Sequence, residues 1–262
     1  VSPASLSVSV VSGGQTTREL TVRNDGSRTL RCLVGSSDDG EATFDAAVGD
    51  GLIRSLPTPN TINLLAGITF DGTHAWLSNW DLGYDHHGVV HRYDPLEDRV
   101  LQRIDLNRYA FLKYGNSHLA WGAGSLWVAS NSPKEVWRID PSTGERQAIV
   151  DLGGERTPQG AIAFGDGALW AIASDGSLVR VDPDSATTSD RSITGVASID
   201  SLTWMGGRLL GLHRYYDGGY RYELYAIDPT TGAATFLLEP AGQVAGETRL
   251  TDLASNGSQL FI

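Results

Sequence analysis

The chain has 262 residues and carries 31 acidic against 20 basic side chains, a formal net charge of −11 at pH 7. A surface this acidic repels phosphate groups, so nucleic acid and anionic membranes are excluded as the main partner. The hydrophobic content of 40% is typical of a soluble globular protein, and the sequence contains no apolar run of about 18 residues that would span a bilayer.

Residues 1–40 predict an N-terminal segment of β-strands. The runs SLSVSV, RELTVRN and TLRCLV alternate apolar and polar side chains and are separated by VSGGQT and DGS, a pattern of two or three antiparallel strands. So short a segment does not form an independent sandwich. We expect it to dock on the rest of the chain or to complete a sheet in another chain or module. Residues 1–35 carry a charge of +2, against −13 for the remainder.

The single cysteine, Cys32, lies in this segment and is expected to be a small buried residue rather than a reactive thiol. No Cys or His cluster has the spacing of a zinc site. No metal or other cofactor is therefore expected.

The second part of the chain is built from a repeat. Each unit has an apolar residue, a tight turn with glycine, and an apolar strand containing a large anchor residue. The anchors are spaced by 51, 43, 40 and 51 residues and are Trp76, Trp127, Trp170, Leu210 and Phe261. An Asp-Pro turn follows in the first four units, at Asp94, Asp140, Asp182 and Asp228.

This repeat predicts an all-β fold, a β-propeller whose blades each have four short strands. Apolar runs bounded by Gly and Asn form a first hairpin, and the Asp-Pro-x-[ST]-Gly turn forms a second. The tryptophans are expected to fill the layers between neighbouring blades.

The fifth unit ends at Ile262 after only two strands, and residues 41–57 match the outer half of a repeat unit. Phe44-Asp45 align with Tyr93-Asp94 in this match. We therefore expect a five-bladed propeller over residues 41–262, closed by strands from both termini, because an open ring would leave unpaired strand edges. The alternative is a fragment of a longer chain with six or more blades.

The phrase GSLWVASNSPKEVWRIDPSTGE resembles secreted bacterial β-propeller repeat proteins, including streptogramin-lyase-like propellers, and the resemblance covers residues 58–262. Streptogramin lyases have seven blades and a His-centred metal site, for which this chain has no matching pair of motifs. Residues 1–34 are similar to the ends of immunoglobulin-like sandwich modules in large exported bacterial proteins. These resemblances imply an extracellular or cell-surface location.

GITFDGTHAWLSNW is similar to the blade openings of glutaminyl cyclases, which share a five-bladed fold. Their acidic catalytic residue stands at the start of a blade, where this chain reads LLAGITF. The resemblance supports the architecture and not the activity.

The first candidate site lies at the channel mouth. The repeat places His118, Asp200 and Asp252 near the starts of innermost strands, where they are expected to converge. A histidine with two carboxylates is able to hold a divalent cation or to act as an acid–base pair. The structural alternative is that a channel mouth is polar in any propeller.

The second candidate site is a pair of long middle loops, WDLGYDHHG and HRYYDGGYR, expected on one face. Their aromatic rings suit a sugar or a protein partner, their carboxylates supply acceptors, and the alternative is that the loops only pack on each other. The candidate binding residues are Trp80, Tyr84, Asp85, His86, Tyr215, Tyr216, Asp217 and Tyr220.

These features favour an extracellular, non-enzymatic propeller that acts by binding or assembly. The sharper hypothesis is a subunit of an extracellular fibre or adhesin, in which residues 1–35 add strands to a neighbouring subunit or module. The alternatives are a propeller enzyme, a lyase or a glutaminyl-cyclase-like protein, and a carbohydrate-binding module.

Overall fold

The structure is a computed structural model that describes residues 65–79, 88–95, 97–106, 118–131, 134–240, 252–257 and 260–261. The chain divides into two compact units, Val1–Gly40 and Glu41–Ile262, and all described residues belong to the second. They form strands, turns and loops. No helix able to cross a membrane is present among them.

The described residues contain eighteen strands, all antiparallel to their sheet neighbours. The first sheet contains β1 (Leu65–Phe70), β2 (Ala75–Asn79), β3 (Val89–Asp94) and β4 (Arg99–Asp105). The second contains β5 (His118–Gly122), β6 (Ser125–Asn131), β7 (Lys134–Ile139) and β8 (Arg146–Val150). The remaining strands are β9 (Pro158–Gly165), β10 (Ala168–Ala173), β11 (Ser177–Val181), β12 (Thr188–Ser192), β13 (Ser201–Met205), β14 (Arg208–Tyr216), β15 (Tyr220–Ile227), β16 (Ala234–Leu238), β17 (Ala254–Ser255) and β18 (Leu260–Phe261).

Four sheets are four-stranded meanders in which each strand pairs with the next, and we call them blades 1 to 4. This arrangement confirms the predicted all-β propeller. The prediction of five complete blades is corrected: the described residues form four, and the fifth sheet is only the two-stranded hairpin β17–β18. Residues 41–57, which were expected to supply its outer strands, lie outside the described residues.

The innermost strands surround a central channel. Contacts join β1 to β5, β5 to β9, β9 to β13 and β13 to β17, and β17 in turn contacts β1. The hairpin therefore lies between blades 4 and 1.

Because the strands of a meander alternate in direction, the β1–β2 and β3–β4 turns and their counterparts lie on one face, which we call the turn face. The β10–β11 and β14–β15 loops, and the starts of the inner strands, lie on the opposite face, which we call the hairpin face.

The tight turns of the repeat follow from their residue types. Ala123 and Gly124 connect β5 to β6 with φ values of 50° and 66°, the left-handed pair of a type I′ turn. Asp166 and Gly167 repeat this geometry in blade 3.

The Asp-Pro turns depend on the aspartate. The carboxylate of Asp140 accepts hydrogen bonds from the backbone N–H of Ser142 at 2.8 Å and of Thr143 at 3.2 Å, an Asx turn. The Ser142 hydroxyl and these two N–H groups lower the pKa of Asp140. Asp182 and Asp228 form the same turn in blades 3 and 4.

Aromatic rings join each blade to the next. Trp76 stacks on Trp121 of blade 2 with ring centroids 5.7 Å apart, and two further pairs repeat this contact, Trp127–Phe164 and Trp170–Trp204. Phe261 of the β17–β18 hairpin packs on Phe70 of blade 1 with centroids 4.4 Å apart. The three repeat tryptophans are at most 2% exposed, and they fill the layers between blades as the repeat predicts.

Two glycines make room for this stacking. A Cβ atom added to Gly122 would lie 1.8 Å from Cδ1 of Phe164, and one added to Gly165 would lie 2.0 Å from Cδ2 of Trp204. Neither glycine has a positive φ. They are therefore required by the close approach of the next blade and not by the backbone conformation.

We expect Gly122→Ala and Gly165→Ala each to lower the free energy of unfolding by about 1–3 kcal/mol, because the new methyl group pushes an inter-blade ring out of its layer. Gly219→Ala is the matched control, since a Cβ there has no neighbour within 4 Å and its φ is not positive. It should change stability by less than about 0.5 kcal/mol. Urea unfolding of the three variants measures the effect, and equal midpoints would contradict the role given to the two glycines.

Candidate functional site

One layer of the channel is built from residues at the same position of the repeat. The residue nine places before each repeat anchor is His118 in blade 2, Ser201 in blade 4 and Asp252 before the β17–β18 hairpin. Blades 1 and 3 have the small residues Gly67 and Ala161 there. The inner strands thus place three polar side chains at one level of the channel. The small residues at the other two positions leave space for them.

Asp252 is the centre of this layer. Its Oδ1 accepts hydrogen bonds from the Ser201 hydroxyl, from Nδ1 of His118 at 3.2 Å and from the backbone N–H of Leu253 at 2.9 Å. Its Oδ2 accepts one from the backbone N–H of Ile68 at 2.9 Å. The carboxylate is only 4% exposed, so one buried group connects strands of blades 1, 2 and 4.

Blade 3 contributes its backbone to this layer, at Gly160. Gly160 has a φ of +115°, and a Cβ atom there would lie 2.7 Å from Cδ2 of His118. The glycine lets the chain pass directly against the imidazole ring. We infer that His118 is held on both sides, by Asp252 at Nδ1 and by Gly160 at the opposite edge of the ring.

The order of these groups is not that of a nucleophile with its base. A serine nucleophile donates its proton to a histidine that a carboxylate orients. Here the carboxylate lies between the other two, and Ser201 donates to Asp252. The Ser201 oxygen also accepts the Leu253 backbone N–H at 2.8 Å. These contacts hold both side chains in place and direct the serine proton away from the imidazole.

The channel beyond this layer is narrow. A cavity of about 80 Å³ is lined by residues of all five inner strands, including Thr69, Thr203 and Ser255. It has room for a few water molecules, whereas small-molecule sites usually have volumes of about 300–1,000 Å³. In the part of the chain that the structure describes, no three His, Cys, Asp or Glu side chains are grouped so as to hold a metal ion.

Asp200 is not part of the central layer. Its Oδ2 accepts the backbone N–H of Arg214 at 2.9 Å, and Nη2 of Arg214 lies 3.5 Å from its Oδ1. Nδ1 of His213 is 3.9 Å from the same carboxylate and 3.2 Å from the Ser198 hydroxyl. The structure therefore brings His118 and Asp252 together and places Asp200 in a separate cluster on blade 4. Ser201, which the sequence analysis did not select, takes the third place in the layer.

The β14–β15 hairpin carries the described part of the second candidate site. Tyr216 is 72% exposed and Tyr220 is 37% exposed, and their rings meet edge to face at 5.7 Å. The guanidinium of Arg214 lies 5.8 Å from the centre of the Tyr220 ring. Asp217 is exposed at the tip, where its N–H donates to the Gly219 carbonyl at 2.9 Å. Trp80, Tyr84, Asp85 and His86 lie outside the described residues.

The tyrosines nearer to the base of this hairpin are held by neighbours. Tyr215 stacks on His213 with centroids 5.7 Å apart. Partial burial and the negative charge of Glu223 raise the pKa of Tyr215. Tyr225 donates its hydroxyl to Glu223 at 2.6 Å, which together with burial raises its pKa to about 12. The base is thus fixed, and the rings of Tyr216 and Tyr220 form the exposed end.

No protein-family model and no curated protein match this sequence. Among solved structures, the glutaminyl cyclase of Myxococcus xanthus superposes with a TM-score of 0.54 at 16% identity, over 76% of this chain and 88% of that chain. Hydrazine synthase of Kuenenia stuttgartiensis gives a TM-score of 0.46 at 15% identity, over 70% and 51% of the two chains. At such identities the first likeness shows the propeller fold alone.

We expect Asp252→Ala to lower the free energy of unfolding by about 3–5 kcal/mol, because it leaves buried donors of three blades without their acceptor. Asp200→Ala is the control, since that carboxylate is 32% exposed and serves one blade, and it should cost about 1 kcal/mol or less. Chemical denaturation of both variants measures the difference. If Asp252→Ala does not accumulate, Asp252→Asn keeps the shape and should show an intermediate loss. Equal losses at positions 252 and 200 would refute the central role of Asp252.

Proposed function

We propose that this protein is a non-enzymatic β-propeller that works outside the cell by binding other protein chains, as a subunit of an assembly. The observation that carries the proposal is the exposed pair Tyr216 and Tyr220 at the end of the β14–β15 hairpin, beside Arg214. Tyrosine and arginine are the residue types that most often dominate the energy of protein interfaces. A rigid hairpin base lowers the entropy that such a contact loses on binding.

The arrangement of the channel supports binding over catalysis. Asp252 and His118 are fixed by hydrogen bonds between blades and are at most 5% exposed. A general base must reach the proton that it removes, directly or through one water. A carboxylate that already accepts four hydrogen bonds is better suited to holding the ring of inner strands. The glutaminyl cyclase likeness concerns the fold and adds no catalytic residue to this chain.

In the full form of this proposal, residues 41–57 pair with β18 to complete a fifth blade, and residues 1–35 add strands to a neighbouring copy. The contacts of β17 with both β13 and β1 support the fifth blade, because they place the β17–β18 hairpin between blades 4 and 1, where the inner half of a fifth blade would lie. The opposite charges of residues 1–35 and of the remainder support their attachment to an acidic propeller.

We expect the double variant Tyr216→Ser and Tyr220→Ser to self-associate at least tenfold more weakly than the native chain, which corresponds to about 1.4 kcal/mol. Sedimentation velocity over a concentration series measures this, with retention of the far-ultraviolet spectrum as a check of folding. Ile149→Ser is the matched control, since Ile149 is 52% exposed on the outer strand of blade 2. A native chain that stays monomeric at every concentration, or a double variant that associates as the native chain does, would overturn the proposal.

A pair of truncations separates the two roles given to the N-terminal residues. Removal of residues 1–35 should abolish self-association and leave the unfolding midpoint unchanged. Removal of residues 1–57 should in addition lower that midpoint, because it exposes the edge of β18 and the apolar face of blade 1. If both truncations have the same stability, residues 41–57 do not close the ring. If the variant that lacks residues 1–35 still self-associates, strand addition through these residues is wrong.

A further inference from the structure

A second cavity lies on the turn face, opposite the hairpin face, between blades 1 and 2. It is an open cleft of about 500 Å³, within the usual range of small-molecule sites. The β1–β2 turn with Asp71 and Thr73 borders one side, and the β7–β8 turn with Pro141 and Ser142 borders the other. Both walls are tight turns fixed by their own hydrogen bonds, so the cleft is preformed.

One residue makes this boundary different from the next two. The position directly after the aromatic residue of the inner strand is Gly122 in blade 2 and Gly165 in blade 3. Each glycine lies directly against an aromatic ring of the following blade. In blade 1 this position is Asp71. The indole N–H of Trp127 and of Trp170 donates to the carbonyl of its glycine, whereas that of Trp76 donates to the Asp71 carboxylate at 3.1 Å.

The carboxylate of Asp71 is held as an anion at the cleft. Burial alone would raise the pKa of Asp71, but the N–H groups of His74 and Thr73, the Trp76 indole and Arg92 together lower it below its ordinary value. Nη2 of Arg92 lies 3.0 Å from Oδ2 of Asp71 and 2.9 Å from Nδ1 of His74. The guanidinium thus balances the negative charge, and the walls of the cleft carry no net charge.

The rest of the cleft combines an aromatic ring with amide groups. Trp121 borders it and is partly exposed, with one side of its indole against Trp76. Gln102 spans the boundary by donating Nε2 to the carbonyl of Pro141 at 2.9 Å and to that of Ser142 at 3.3 Å. These bonds orient the side chain and leave its oxygen as an acceptor.

We propose that this cleft is a carbohydrate-binding site for a neutral sugar ring. A sugar offers an apolar C–H face to an indole and hydroxyl groups to acceptors and donors around it. Trp121 supplies the ring, Gln102 supplies an acceptor, and Arg92, which Asp71 holds in place, supplies a charged donor. Because Asp71 and Arg92 neutralise each other, the cleft has no electrostatic preference for a charged ligand. The site is independent of the protein-binding surface proposed above, since it uses the other face and other blades.

The test is saturation-transfer difference NMR on the 262-residue chain with glucose, galactose, mannose, N-acetylglucosamine, xylose and fucose as probes. At least one of these sugars should receive saturation from the native protein. Gln102→Ala should weaken its binding about tenfold, since a good polar contact contributes about 1.4 kcal/mol. Ser142→Trp should abolish the signal by filling the cleft.

Asp184→Trp is the matched control, because Asp184 occupies the same place in the Asp-Pro turn of blade 3 and its backbone forms the same Asx turn. This variant should bind the sugar as the native protein does. Thermal unfolding of all variants checks that a lost signal does not reflect a lost fold. Absence of saturation transfer to every sugar, or equal binding by Ser142→Trp and Asp184→Trp, would overturn the proposal. Retained sugar binding after the double change of Tyr216 and Tyr220 would place the sugar away from the hairpin face.

Discussion

The stacking of an aromatic ring of one blade on an aromatic ring of the next is the contact on which the other features of this molecule depend. A four-stranded sheet alone would expose both of its faces, and its apolar side chains become buried only between neighbours. The stacked pairs contribute about 0.5–1.5 kcal/mol each beyond the burial of their area. They recur at one position of the repeat, with ring centroids 5.7, 5.8 and 6.3 Å apart, and they therefore keep a similar distance between neighbouring blades.

A buried polar group fixes the alignment of the inner strands, which the apolar layers between blades do not define by themselves. Hydrophobic layers tolerate small slips between sheets, whereas hydrogen bonds require defined distances and angles. Asp252 makes such bonds to strands of three blades at the centre of the ring. An unmade bond would leave a buried carboxylate or a buried N–H without a partner, which is costly. We infer that the layer of His118, Ser201 and Asp252 holds the inner strands in register.

The repeat made the fold predictable, because local turn chemistry and the spacing of the tryptophans depend only on neighbouring residues. The Asx turns at Asp140, Asp182 and Asp228 follow from the motif itself. The site was less accessible to such reasoning. His118 and Asp252 are 134 positions apart, and their contact depends on how many blades lie between them. Asp200 was expected in the same group, but its carboxylate accepts a hydrogen bond from the backbone N–H of Arg214 on strand β14.

The position after each inter-blade aromatic shows how a small departure from a repeat creates a site. Glycine there lets the next blade approach closely, as at Gly122 and Gly165. Aspartate there needs partners for its charge, and the indole of Trp76 and the guanidinium of Arg92 supply them. The strong contact between blades is thus supplemented at the first boundary by a polar network, and a cleft opens beside it. Because the Trp76–Trp121 stack still holds this boundary, Asp71 is able to differ from the repeat without loss of the propeller, and this is where a binding function is able to arise.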